Sequence, residues 1–306
     1  MQDIALIIST TLMYSTPLIF AALGGVFSEN SGIVNIGIEG MMTIGAFAGA
    51  AAGYMLGNPW LAFIIGGLAG GLFALVHALA TVTFNADHTI NLLAPGVALF
   101  ASKIMFDGAT MTPTIPMEQK IPRPLNGLFP SGSILDTIFN AYATVFIAFI
   151  LVAITWYVLY KTKFGLRIRA VGEHPGAADT LGISVAKTRY AAVIISGILA
   201  GLGGASMSLA VVSSFRPTLI SGHGYIAMAA VIFGKWRPQW AMAACLLFGF
   251  STALSVYFGN PELPFSINEN LLSMIPYIMT LIVLVLFVKS SKAPAALGNP
   301  YKKGER

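Results

Sequence analysis

One cysteine, Cys245, stands in the 306 residues, which excludes a disulfide framework and a cysteine-ligated zinc site. Charge is also scarce: 9% of the residues are Asp, Glu, Lys or Arg, where a soluble domain carries about 25%. The four histidines, His77, His88, His174 and His223, are dispersed and lack HExxH-type metal spacing. A Walker A pattern is missing, because Phe233-Gly234-Lys235-Trp236 lacks both the earlier glycine and the Ser or Thr that would bind magnesium. Gly201-Leu202-Gly203-Gly204 lies inside an apolar run, where close helix packing explains it better than a dinucleotide site. Neither paired carboxylates nor a nucleophile–base set stands out. The chain is therefore expected to make and break no bonds and to bind no cofactor of its own. The net charge of +5 does not point to nucleic acid, since most basic residues flank apolar segments.

What the sequence does have is apolar length. It is 56% hydrophobic, and its 32 glycines are scattered through the apolar runs, as expected where helices pack closely in lipid. Mean hydropathy is +0.79. The fold class is an all-α polytopic membrane protein forming a single transmembrane domain over 1–306. A spanning helix needs ~20 apolar residues, and the runs predict spans near 4–26, 33–56, 60–83, 89–106, 138–160, 190–213, 223–234, 239–258 and 271–288. That makes about nine crossings, with eight to ten allowed. The 223–234 run is too short at ~1.5 Å per residue to cross ~30 Å, so it is expected to be part of a broken, partly non-helical crossing. MQDIALIIST lacks a basic n-region and a cleavage site, and reads as the start of the first span.

Thirteen of the seventeen basic residues fall at 161–189, at Lys235 and Arg237, and at 289–306. The positive-inside rule puts these three places in the cytoplasm, with the C-terminus there and the N-terminus outside. The loop 161–189 carries Lys161, Lys163, Arg167, Arg169, Lys187 and Arg189. Within it Pro175 suits a helix first turn, Gly176, Ala177 and Ala178 keep that helix slim, and Gly182 is placed to end it. A slim helix flanked by bases suits a groove on a cytosolic partner; a solvated loop is the alternative. The external stretch 107–137 holds five prolines and cannot be one helix. It reads as an irregular cap, either a plain connector or a docking surface.

Polar residues at membrane depth are costly and tend to be functional. Asn35 and Glu39 lie four apart, so on a helix they share a face, and Gly32, Gly37 and Gly40 make a break there plausible. Either they anchor helices to one another or they line a path. Asn91, ahead of Pro95, is a candidate for the same cavity. Glu39 is expected to be the one well-buried charge, which disfavours an ion-coupled carrier and favours an uncharged solute. A faint echo, ALGG at 22–25 with SG at 31–32 against GLGG at 201–204 with SG at 221–222, begins in spans of opposite direction and suggests an inverted repeat.

The motifs GVFSENSGIVNIGIEGMMTIGAFAGA (25–50), GLRIRAVGEHPGAADTLGISV (165–185), SGILAGLGGA (196–205) and GYIAMAAVIFGKWRP (224–238) resemble permease subunits of ABC importers. The broad family is that of branched-chain amino acid and simple-sugar permeases, and the likeness, running from about residue 10 to 290, is to its nucleoside branch. The resemblance implies alternating access for a nucleoside, with a simple sugar or a branched-chain amino acid as alternative cargo. It implies that 173–182 is the coupling helix, with Arg169, Gly172, Glu173, Pro175 and Ala178 on the motif and His174 where many relatives have Asn. It implies that Asn35 and Glu39 belong to a broken helix beside the translocation path. It also implies partners: a second homologous permease or a second copy, a cytosolic two-domain ATPase that uses the ATP, and an exported substrate-binding lipoprotein, at the bacterial cytoplasmic membrane.

Overall fold

A helix whose side chains are mostly apolar all round must bury its polar backbone internally and its surface in lipid or in other helices, and the chain is built almost wholly of such helices. The computed structural model describes residues 2–84, 94–130, 132–259, 269–272, 274–287 and 292–301. Among them no strand occurs. The helices are α1 (Gln2–Asn30), α2 (Ile38–Leu56), α3 (Pro59–Ala78), α4 (Ala94–Met105), α5 (Ile134–Phe139), α6 (Ala143–Lys161) and α7 (Lys163–Glu173). They continue with α8 (Pro175–Thr180), α9 (Val185–Ser206), α10 (His223–Phe233), α11 (Pro238–Phe258), α12 (Glu269–Leu272) and α13 (Ile275–Phe287). α3 and α9 each run on through a π-helical turn, Leu79–Thr83 and Met207–Val211. Counting those turns, five of the described helices are long and apolar enough to cross a membrane: α1, α3, α6, α9 and α11.

Local chemistry sets the ends. Asn58 accepts hydrogen bonds from the backbone N–H groups of Trp60 and Leu61 and, with Pro59, starts α3. Thr162 caps α7 and Ser184 caps α9. Inside the spans, hydroxyls return to the chain four residues back: Thr11 to Ile7, Thr16 to Leu12, Thr43 to Glu39, Ser251 to Leu247. Each such residue thereby satisfies its own polarity without a partner from another helix.

α9 is the central element, packed against α1, α2 and α3. The contact is made by glycine. Gly45 of α2 meets Gly201 of α9, and Gly70 of α3 meets Gly197 and Gly201. A Cβ on Gly201 would lie 2.5 Å from the Gly66 carbonyl oxygen, 3.0 Å from Gly70 Cα and 3.1 Å from the Gly67 carbonyl oxygen, all of them backbone atoms. Small residues four apart let helix backbones touch, the expected device where lipid offers no hydrophobic drive. Gly203 and Gly204 pack in the same way on Pro17 and Met42, so the glycine run is a packing feature as read from the sequence.

Several boundaries differ from the expected ones. α2 begins at Ile38 rather than 33, because 31–37 is not helical. α9 begins at Val185 rather than 190, its first turn being set by the Ser184 cap. The 223–234 run is helical only over His223–Phe233 and follows a non-helical stretch at 212–222. The Pro-rich stretch contains the turn Met117–Gln119 and α5, and is tied by Thr112 and Ile115 N–H groups to the Phe215 and Ser213 carbonyls at 3.1 and 2.8 Å.

Candidate functional site

α1 ends in a Schellman motif. Gly32, with φ of +92°, donates to the Glu29 carbonyl at 3.0 Å, and Ile33 donates to the Ser28 carbonyl at 3.3 Å. Ser28 Oγ donates to the Ile33 carbonyl at 2.8 Å and locks the reversal. The chain then runs without helix to Gly37, and α2 starts with no side-chain cap. Glu39 sits in its first turn, where a negative charge meets the positive end of the helix dipole. Its carboxylate reaches across to a second helix start: Oε1 accepts from Gly222 N at 2.6 Å and Oε2 from Gly224 N at 2.7 Å. Gly222 is left-handed at φ of +95°, and a Cβ on Gly224 would lie 2.6 Å from the Glu39 backbone, so the approach requires glycine. Two interrupted helices, α2 and α10, thus present their N-termini to one half-buried carboxylate. Backbone N–H groups at such ends bind anionic or hydrogen-bond-accepting groups, and here Glu39 fills that role.

Asn35 does not share a face with Glu39 as helical spacing predicted. It lies in the non-helical link, fully buried, and its Nδ2 donates to Ser196 Oγ of α9 at 2.8 Å and to Met41 Sδ at 3.4 Å. Its Oδ1 is buried without a hydrogen-bond partner. Asn35 therefore fastens the link to α9, whereas Glu39 fastens α2 to α10. Asn91 lies outside the described residues.

The polar element at 161–189 is more ordered than a loop. A Cβ on Gly172 would fall on the Asn30 carbonyl, so the end of α7 abuts the end of α1 directly. Arg169 stacks its guanidinium over the Tyr160 ring at 4.8 Å. Pro175 opens α8, and Gly182, at φ of +78°, follows its end. Ala178 is buried against Val171 and Val185. The six residues of the motif therefore divide. Arg169, Gly172 and Ala178 hold the element to the body, Pro175 is half-buried at the start of α8, and Glu173 and His174 are exposed beside Gly176, Ala177 and Leu181.

The expectation that Glu39 is the one well-buried charge is wrong. Glu39 is half-buried. Among the described residues the fully buried charged ones, each 2% exposed, are Glu29 and Arg189. Glu29 Oε2 accepts from Trp236 Nε1 at 2.5 Å, and Asn30 Nδ2 donates to the Trp236 carbonyl at 3.1 Å. These bonds hold the α10–α11 turn, in which Lys235 and Trp236 adopt positive φ, against the end of α1. Arg189, expected at the end of the charged loop 161–189, lies inside α9 and donates to the Ser31 and Asn299 carbonyls. The available signal was position: Glu29 lies two residues before the Ser31-Gly32 break, and Arg189 begins an apolar run. No group of three potential metal ligands occurs among the described residues.

Residues 7–284 match the family described as branched-chain amino acid transport system / permease component. The guanosine ABC transporter permease protein NupQ of Bacillus subtilis (strain 168) is 44% identical over 319 residues, covering 100% of this chain and 99% of that one. The nucleoside ABC transporter permease protein NupC of Lactococcus lactis subsp. cremoris is 42% identical, covering 99% of each. A putative glucose ABC transporter permease protein of Haloferax volcanii, TsgC13, is 32% identical over 97% of each chain. No solved structure matches the chain.

Proposed function

The chain belongs to the permease-component family of branched-chain amino acid transport systems, and on that premise we propose that it is the membrane-spanning half of an ATP-driven importer that passes nucleosides. The observation that carries the cargo is end-to-end identity of 44% and 42% to permeases named for guanosine and for nucleosides. The subunit is a transport component rather than an enzyme. ATP is used by a separate two-domain cytosolic ATPase, and the chain needs no cofactor. A second homologous permease, or a second copy, completes the channel, and an exported binding lipoprotein delivers the solute.

In this reading about nine crossings traverse the bacterial cytoplasmic membrane within one domain, with 107–137 outside and 161–189 and the C-terminus inside. α1 with α2 and α9 with α10 form the two arms of an inverted repeat: a long helix, a link turning on a left-handed glycine after serine, then a shorter helix. Glu39 and Asn35 flank the solute path together with Asn91. α8 rides in a groove of the ATPase, presenting Glu173, His174 and Pro175, while Arg169, Gly172 and Ala178 carry its movement to α1. A slim, proline-started helix fixed at the buried Ala178, with Gly176, Ala177 and Thr180 exposed, supports that role.

The test is a complex reconstituted with its ATPase and binding protein. Double-charge substitution of the exposed Gly176 and Ala177 to Glu should abolish nucleoside-stimulated ATP turnover, and unaltered turnover would overturn the role of α8. Thermal shift of the binding protein with uridine, adenosine, ribose and leucine tests the cargo. A simple sugar is the second reading, favoured by the 32% identity to the putative glucose permease. A free amino acid fits less well, since the Glu39 carboxylate is already engaged by two backbone donors.

A further inference from the structure

The described part of the C-terminal segment, 292–301, does not trail away from the body. Ala296 N donates to the Gly172 carbonyl at 2.8 Å, and Gly298 N donates to the Gly32 carbonyl at 3.0 Å. Ala295 N reaches Glu173 Oε2 at 3.4 Å. Tyr301 packs on Val171, Ala178 and Val185. Its phenol is held above the ordinary value by burial and by a hydrogen bond to the Asp179 carboxylate. One short segment therefore bonds in register to the end of α7, to α8 and to the α1–α2 link.

Arg189 closes the arrangement from behind. Its Nε donates to the Ser31 carbonyl at 3.2 Å and its Nη1 to the Asn299 carbonyl at 3.3 Å. A guanidinium can bridge two carbonyls in this way because its donors are fixed in a planar fork; an ammonium cannot hold both in the same geometry. A buried charge 2% exposed is retained only where such partners are supplied.

We propose that Arg189 and residues 292–301 form a clasp that makes the α7–α8 element and the 31–37 link move as one body, with Arg189 as a positioning residue for transport. Displacement of α8 is then delivered to the strand of chain that carries Asn35 and ends at Glu39, rather than being absorbed by a flexible joint. The inference rests on the reading of α8 as the element driven by the ATPase.

Two variants test it in the assembled complex: removal of residues 292–306, and Arg189→Lys, which keeps the charge and loses the fork. Hydrogen exchange at the Ser31, Gly32 and Ile33 amides and nucleoside uptake per ATP hydrolysed are both measured. Both variants should retain basal ATP turnover, exchange those amides faster, and lose about tenfold in uptake per ATP, a typical size for coupling between sites. Uptake per ATP at the wild-type level in both variants would overturn the clasp. If α8 is not the driven element, the Gly176/Ala177 double-charge variant leaves turnover unchanged, which separates that failure from failure of the clasp.

Discussion

Replacing Glu39 by Gln should release the start of α10, and the size of the effect follows from the bonds it makes. The carboxylate accepts two backbone N–H groups at 2.6 and 2.7 Å. Hydrogen bonds to a charged group contribute about 1.5–3 kcal/mol each, and a charge at a helix N-terminus adds about 0.3–1 kcal/mol. The amide keeps one accepting oxygen but turns an NH2 group toward the other N–H donor. The loss is therefore about one charged bond plus the dipole contribution, trimmed because Glu39 is half-buried, or roughly 2 kcal/mol. At about 1.4 kcal/mol per decade that is roughly a thirtyfold rise in local opening. Hydrogen exchange resolved at the Gly222 and Gly224 amides in the assembled complex reads this directly. Glu39→Asp keeps the charge but is one methylene shorter, and should fall between wild type and Gln. Solute uptake should decline in the same order. Exchange at those two amides that is the same in Glu39→Gln as in the wild type would refute the assignment of the carboxylate as their anchor.

Three further outcomes are expected. Gly201→Ala brings a Cβ to 2.5 Å from the Gly66 carbonyl, and backbone cannot swing aside, so overpacking of about 1–3 kcal/mol or more should lower the melting temperature by several degrees. Gly176→Ala, with nothing within 4 Å, should leave the melting temperature unchanged and serves as its control. Trp236→Phe removes the indole donor from the buried Glu29 carboxylate and should destabilise by about 2 kcal/mol; adding Glu29→Gln should recover part of that loss in a double-mutant cycle. Leu181→Glu, at a side chain 81% exposed, should leave melting within error while weakening co-purification of the ATPase.

The long apolar runs were legible because length and hydropathy alone define them: 60–83 and 239–258 were placed within a residue of α3 with its π-helical turn and of α11. Capping and turn chemistry was equally local, so Pro175 and Gly182 marked α8 correctly. The break before α2 was foreseen from Gly32 and Gly37, but its consequence was not. Helical spacing paired Asn35 with Glu39, and once the chain leaves the helix at Asn30 that periodicity no longer says where either side chain points. Glu29 and Arg189 were passed over for a different reason. Their partners lie 207 and 110 positions away along the chain, and no local pattern carries a contact of that range. The carboxylate anchoring α10 was half legible: Glu39 was singled out, but its partners are two backbone groups, which have no sequence signature beyond the glycines themselves.

The contact among α2, α3 and α9 is made by main chain lying on main chain, and this fixes where the molecule can bend. Side chains that interdigitate can exchange rotamers and let two helices slide; peptide planes in direct touch have no such alternatives, so those three helices travel as a single slab. If the proposed clasp makes 31–37 rigid with α7 and α8, the opening and closing of the proposed transport cycle falls where the helical ladder is interrupted beyond it, at 212–222. The absence of side chains at the centre thus makes the slab stiff, and in that cycle the interruption before α10 is its hinge.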